Sequence, residues 1–382
     1  MEEKHFEIIV LGVGGMGSAA LYDLAKRGLK VCGVEQFGVA HDRGSSHGDT
    51  RIIRKAYFEH PDYMPLLERT YELWQSLQEA SGQQLAVNNG LVVVGQPESQ
   101  TIRGLEACYK KHALPHERLS RKEAGRRFPQ FDFPAESAIF FDPFGGYLLV
   151  EPCVEQHTRL AVEHGAVLLT NEKVLNWHAE NGHVTVATTQ RTLRADKLII
   201  TAGAWATQVL TDLGLELEIW RKPVLWYHTP HIEPYGPDKF PTFYFELSYG
   251  GFYGFPAIDT SGVKIAEHLH ADVVATPEAL NREFEAADES LILRFLSEVL
   301  PGFKPTLKKH SVCMYIKTPD DHFILDLHPV HENVILGAGF SGHGFKFAPV
   351  VGEILGDLAI DGTTSYPIAF LRLERLLKGK GA

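Results

Sequence analysis

Cysteine is scarce here, 4 in 382 residues. Cys32, Cys108, Cys153 and Cys313 form no CxxC pair and keep no regular spacing, which excludes a disulfide framework and a cysteine zinc site, and no metal is expected. No apolar stretch is long enough to cross a bilayer. The chain begins MEEKHFEIIVLG, acidic first and then a strand-length apolar run, without a basic leader. Reduced thiols and the missing leader give the cytoplasm as the expected location. A basic stripe is missing too: the formal net charge of -11 is spread along the chain, so neither nucleic acid nor a membrane surface is an expected partner. Small molecules remain. A composition of 44% hydrophobic and 22% charged residues at this length predicts two closely packed domains.

The start of the chain is the most legible part. Phe6 to Leu11 is almost wholly apolar, as a strand buried on both faces should be, and runs straight into Gly12-Val13-Gly14-Gly15-Met16-Gly17. Ala19, Ala20, Leu24 and Ala25 then follow at helical spacing, Lys26 and Arg27 suit the last turn, and Gly28 caps. Val31 to Val34 gives a second strand ending in Glu35. Each part has a task in holding a dinucleotide: Gly12 for the tight turn, Gly14 for approach of the pyrophosphate, Gly17 for helix–sheet contact. The helix N-terminus suits phosphates, and Glu35 can accept hydrogen bonds from ribose hydroxyls. The pattern leaves FAD and NAD undistinguished.

Strand and helix signals alternate thereafter without a linker or repeat. Helices are predicted over 68–78, 152–164, 288–300 and 350–360, with a capping box at Ser120 to Glu123 and a hairpin turn at Asn181-Gly182. Aromatic and β-branched runs between about 216 and 318 predict an antiparallel sheet. The expected fold class is α/β (α+β): a Rossmann-like nucleotide-binding domain from 1–84, 150–215 and 320–382, and an inserted antiparallel β-rich substrate domain from 85–149 and 216–319.

Four stretches carry candidate chemistry. In Gly44 to Arg54, glycines and serines, Ser45 among them, permit close backbone approach, while Arg51 and Arg54 are spaced to share one face of a helical turn and fork onto a carboxylate. In Phe340 to Phe347, the turn around Gly342 and Gly344 can present amides to an anionic ring oxygen, with Lys346 adding a cation. Lys264 interrupts an apolar strand: pointing outward it is merely solvated, pointing inward it is a functional cation. Cys313, in a strand-like run, has the plain alternative of a small buried hydrophobe.

Taken together, GSSHGDTRIIRKAY (44–57), FYGFP (252–256) with VKIAEH (263–268), SVCMYIKTPDDHFILDLHP (311–329) and GFSGHGFKFA (339–348) resemble the monomeric sarcosine oxidase family of flavoproteins, which includes N-methyltryptophan and imino-acid oxidases. The resemblance runs along essentially the whole chain. It implies FAD rather than NAD, a fold of the glutathione-reductase and amino-acid-oxidase type, and a monomer. It implies FAD joined covalently through Cys313, flavin contacts from His47 and Arg51, a carboxylate clamp from Arg54 and Lys346, and dioxygen activation by Lys264. Tyr253, Tyr315 and His268 match pocket positions. The implied reaction is oxidation of sarcosine or another N-methyl amino acid by dioxygen. Alternatives are an N-methyl-L-tryptophan oxidase, a proline- or pipecolate-type imino-acid oxidase and a flavin-binding dehydrogenase without oxidase activity. The chain departs from the family pattern at Tyr244, where a methionine is expected, and at Ser46, where a histidine is; Tyr244 favours a small substrate.

Overall fold

The opening apolar run becomes the centre of a sheet. In the computed structural model, which describes residues 5–377, His5–Leu11 lies between parallel neighbours Val31–Val34 and Thr192–Ile200. Val167–Leu169 and Val334–Ala338 extend the parallel core on either side, and Ile324–Leu327 and the hairpin Val174–Glu180/His183–Thr188 add antiparallel partners to complete eight strands. The hairpin turns on Asn181 and Gly182, at φ 52 and 78, as that dipeptide requires.

Both faces of this sheet are covered, which is why its strands read as continuous apolar runs. Helices Gly15–Lys26 and Ala348–Asp361 bury Leu21, Leu24, Val351 and Leu355 against Ile8, Val10, Ile199 and Ile335. Each such side chain removed from water contributes about 1.5–3 kcal/mol before the entropy of ordering it. Helix Met64–Ser81 starts four residues before the expected Glu68, with Pro65 in its first turn, and ends at Gly82 in the left-handed region. The capping box at Ser120 and Glu123 forms as expected.

The second sheet has nine strands. It is antiparallel from Thr306–Lys317 through Glu218–His228, Val263–Glu267, Gly250–Phe255 and Thr242–Leu247. Within 218–317 every pairing is antiparallel, as expected, while Thr242–Leu247 also runs parallel to Leu91–Gly95, because a long stretch of chain separates them and can return in either direction. Alternation divides its residues between two apolar clusters. Phe243, Phe245, Phe252 and Ile265 face helix Ala286–Val299, with Phe295 stacked on Phe252 and Phe243 at 4.8 and 5.7 Å. Tyr244, Tyr253, Phe255, Ala266, Trp226 and Cys313 face the cluster shared with the first sheet. Lys264 falls on this second side, directly opposite Trp226 and Phe255 in register.

A third sheet of three short strands, Thr50–Ile53, Gly146–Leu149 and Ala86–Val87, corrects one expectation. Arg51 does not sit on a helical turn with Arg54. The β-branched Thr50, Ile52 and Ile53 pair with Leu149, Tyr147 and Gly146, so Arg51 is a strand residue and Arg54 follows the strand's end.

Candidate active site

One cavity of about 870 Å³ runs from the glycine turn to the second sheet. At its first end the backbone is shaped by Gly12, at φ +86, where an added Cβ would meet Thr201 O at 2.6 Å. Gly17 admits no side chain because a Cβ would lie 1.8 Å from Gly12 O. Gly14 differs: a Cβ there would meet only Ser46 Oγ at 3.6 Å, so its bareness serves the cavity rather than the protein's own packing. Glu35 is buried beside this turn, its Oε2 accepting from Val13 N at 2.9 Å and its Oε1 from Phe37 N at 3.0 Å.

At the other end, Tyr244, Tyr253, His268 and Tyr315 form an aromatic wall. His268 Nδ1 lies 3.3 Å from Tyr315 Oη, and burial, followed by the charge of Lys222, pushes its imidazole down to about 3, so it is neutral across the physiological range. Two buried cations share the cavity. Arg54 Nη2 donates to both Glu59 carboxylate oxygens at 2.6 and 2.7 Å, its Nη1 donates to Ala56 O, and the guanidinium lies 3.7 Å from the Phe58 ring centre. Lys346 donates to His343 O at 2.7 Å, and burial, then Arg54, lower its pKa to about 7. Arg51 does not fork with Arg54: its guanidinium donates instead to Ser45 O, Thr50 O and Cys313 Sγ, the last at 3.3 Å.

Cys313, His47 and Lys264 stand immediately behind that wall rather than on it. Burial alone would raise the Cys313 thiol, but His47, Arg51 and Lys264 outweigh it and bring the thiol down to about 6. Lys264 donates to Gly48 O at 2.6 Å and Thr50 O at 2.8 Å; burial, then Arg51, push its pKa well below that of an ordinary lysine. His47 Nε2 is buried without a hydrogen-bond partner among the described residues.

The chain as a whole is matched elsewhere. The family model described as FAD dependent oxidoreductase covers residues 7–358. The monomeric sarcosine oxidase of Streptomyces avermitilis is 41% identical over 376 residues, 97% of this chain and 98% of that one. The chain belongs to the FAD dependent oxidoreductase family, in its sarcosine oxidase group. The N-methyl-L-tryptophan oxidase of Salmonella enteritidis is 34% identical over 373 residues, 97% of this chain and 99% of that one. Among solved structures, the open form of NikD, an unusual amino acid oxidase essential for nikkomycin biosynthesis, matches with a TM-score of 0.85 at 25% identity over 97% of both chains.

FAD is therefore the cofactor of this oxidoreductase, and its residues fit the group. The glycine turn, the helix N-terminus at Gly15 and the Glu35 carboxylate suit the dinucleotide, the open face of Gly14 is a cradle, and the orphaned His47 nitrogen is a polar group lacking a protein partner. Of the expected site residues, Gly12, Gly14, Glu35, Ser45, Arg51, Arg54, Tyr244, Tyr253, His268, Tyr315, Gly342, Gly344 and Lys346 line one cavity. Gly17 acts through packing, and Cys313, His47 and Lys264 lie behind the wall. Sequence reasoning missed Glu59 and His343. Glu59 gives no signal before Arg54 is known to be buried. His343 stands inside the glycine turn already singled out, and is fixed between the Tyr57 hydroxyl and Asp321 O.

Proposed function

We propose that this oxidoreductase oxidises the N-methyl group of sarcosine or a similarly small N-methyl amino acid: R–NH–CH3, dioxygen and water give R–NH2, formaldehyde and hydrogen peroxide. One observation carries the reading, a single cavity holding two buried cations, Arg54 and Lys346, together with a neutral imidazole and three tyrosines. A carboxylate with a secondary amine one carbon away suits such a wall. The names of the curated relatives support it.

Arg54 and Lys346 bind the carboxylate. Arg54 is paired with Glu59, so the incoming carboxylate exchanges for another and the guanidinium keeps its stacking on Phe58. Only an uncharged amine is oxidised, and the tyrosine walls exclude the water that stabilises an ammonium. His268, held neutral by burial, accepts a hydrogen bond from the amine N–H at its imidazole and so favours the uncharged amine. FAD, when bound, supplies the acceptor for the equivalent of a hydride and passes the electrons to dioxygen. Lys264 provides a fixed cation for the negative charge that dioxygen acquires. Covalent attachment of FAD at Cys313 Sγ is supported by a thiol that is largely thiolate near neutrality, with Arg51 and His47 contacting the flavin. All four cysteines are free and buried, which agrees with a reducing cytoplasm, and relatives named as monomeric support a monomer.

Tyr244 sets the size limit: it is buried, 5.7 Å from Phe58 ring to ring, and narrows the cavity beside Arg54. Oxygen uptake with sarcosine, N-methyltryptophan, L-proline and L-pipecolate tests the reading, with sarcosine expected fastest. Negligible turnover on all four refutes it; turnover on the ring substrates alone replaces it with an imino-acid oxidase. Flavin reduction without oxygen uptake marks a dehydrogenase.

A further inference from the structure

The strand Val263–Glu267 ends on a carboxylate that organises the turn after it. Glu267 Oε1 accepts from the amides of Leu269 at 2.8 Å and Gly251 at 3.2 Å and lies 3.1 Å from His270 Nδ1. Its Oε2 accepts from the His270 amide at 2.7 Å and from Lys222 Nζ at 3.2 Å. His268 stands between these anchors, its own amide donating to Gly251 O at 2.7 Å.

Lys222 reaches the turn from the strand Glu218–His228, at the gap where Val263–Glu267 stops pairing and Asp272–Val274 begins. It is 1% exposed, donates also to His270 O, and its ammonium lies 5.5 Å from the Tyr315 ring centre. An ion pair this deep returns less than its desolvation costs unless hydrogen bonds complete it. Here the backbone of one turn completes it, and that turn carries His268.

We propose that Lys222 and Glu267 are positioning residues for His268: together they fix the 268–270 turn so that the imidazole meets the substrate amine beside Tyr315. The inference rests on the reading of His268 as the group that faces the amine. The groups around His268 are the rings of Tyr244, Tyr253 and Tyr315 and the charges of Lys222, Glu59, His343 and Lys317, with Glu267 next in the chain. Lys222 is the foremost charge among those acting on it.

The sign is decidable. A cation nearby disfavours imidazolium, so Lys222→Met raises the His268 pKa and moves the acid limb of the reduction rate to higher pH. Glu267→Gln removes the carboxylate that holds the Lys222 proton against burial, so it moves the limb the same way, and it slows reduction roughly 10- to 100-fold through loss of the turn's anchors. A limb moved to higher pH in both variants is something a merely structural role does not produce.

The experiment is anaerobic stopped-flow reduction of the flavin-loaded protein by sarcosine across pH, for the parent, His268→Asn, Lys222→Met, Glu267→Gln and the double Lys222→Met/Glu267→Gln, alongside NMR titration of ring-labelled histidine, with His268 assigned by its loss in His268→Asn. The expected result is a limb shift to higher pH in both single variants and a moved His268 titration. Rates within about two-fold of the parent with unmoved limbs overturn the proposal, as do limb shifts to lower pH. Should a single variant fail to fold, the double variant, which leaves no charge unpaired, decides by its reduction rate and histidine titration. If His268→Asn is reduced as fast as the parent, the functional reading fails instead, and the NMR titration still tests whether the pair sets the state of His268.

Discussion

The two ends of the cavity are built in different ways. The dinucleotide end is contiguous, Gly12 to Glu35, and works through backbone: a left-handed glycine, a helix N-terminus and one carboxylate. The catalytic end is assembled from segments far apart in sequence, with Lys222 and Cys313 on paired strands, Lys264 opposite Trp226 and Phe255, and Tyr244 opposite Tyr253. A contiguous site fails when its steric conditions are broken. A distributed site fails one function at a time.

The largest expected effect is at the contiguous end. Gly17→Val drives a side chain into Gly12 O and should destabilise the first domain by about 3 kcal/mol, with loss of FAD from the purified protein; thermal melting and flavin absorbance measure both. If the variant keeps its stability and flavin, the contrast is wrong. At the distributed end, Lys264→Met should slow reoxidation by dioxygen roughly 100-fold or more while anaerobic reduction stays nearly intact, separating two halves of one reaction. The pH dependence has a definite sign: the Lys264 pKa is depressed, so the proton is lost as pH rises, at lower pH than for an ordinary lysine, and reoxidation should fall on the alkaline side. Arg54→Met should reduce kcat/KM by roughly 30- to 100-fold, chiefly through KM, because a buried charge-assisted bond to substrate is lost. In the parent, KM should rise above about pH 7, as Lys346 loses its proton, and Lys346→Met should be flat there.

Smaller effects sharpen the contrast further. Cys313→Ser should leave the fold unchanged yet release flavin into the supernatant on acid precipitation, whereas the parent's pellet stays yellow. Tyr244→Met should change the ratio of bulky to small substrates by roughly 10-fold, about the effect of reshaping one wall of an apolar pocket, read as kcat/KM for N-methyltryptophan against sarcosine.

Legibility follows the same division. The strand, turn, helix and acidic end of the first segment could be read because each depends on neighbours in sequence. The arginine pair could not. Spacing placed Arg51 and Arg54 on one helical face, but pairing with Gly146–Leu149 made their segment a strand and gave the two guanidiniums different partners. Lys264 was undecidable for another reason. Alternation separates the faces of a strand but does not say what covers them, and here one face meets helix Ala286–Val299 and the other the cavity side. Lys222 and Glu267 carried no signal, since a lysine and a glutamate 45 residues apart pair only through sheet register.

By itself the sequence determined the dinucleotide turn, the alternation of helices and strands and, through resemblance along its length, the family, because these rest on local backbone preferences and on residue order. Tertiary structure alone decided which charges are buried and with whom: that Arg54 holds Glu59, that Cys313 lies among three basic groups, that Lys222 pairs with Glu267. Burial and electrostatic pairing depend on distances between segments, and those distances exist only once the sheets have closed on one another.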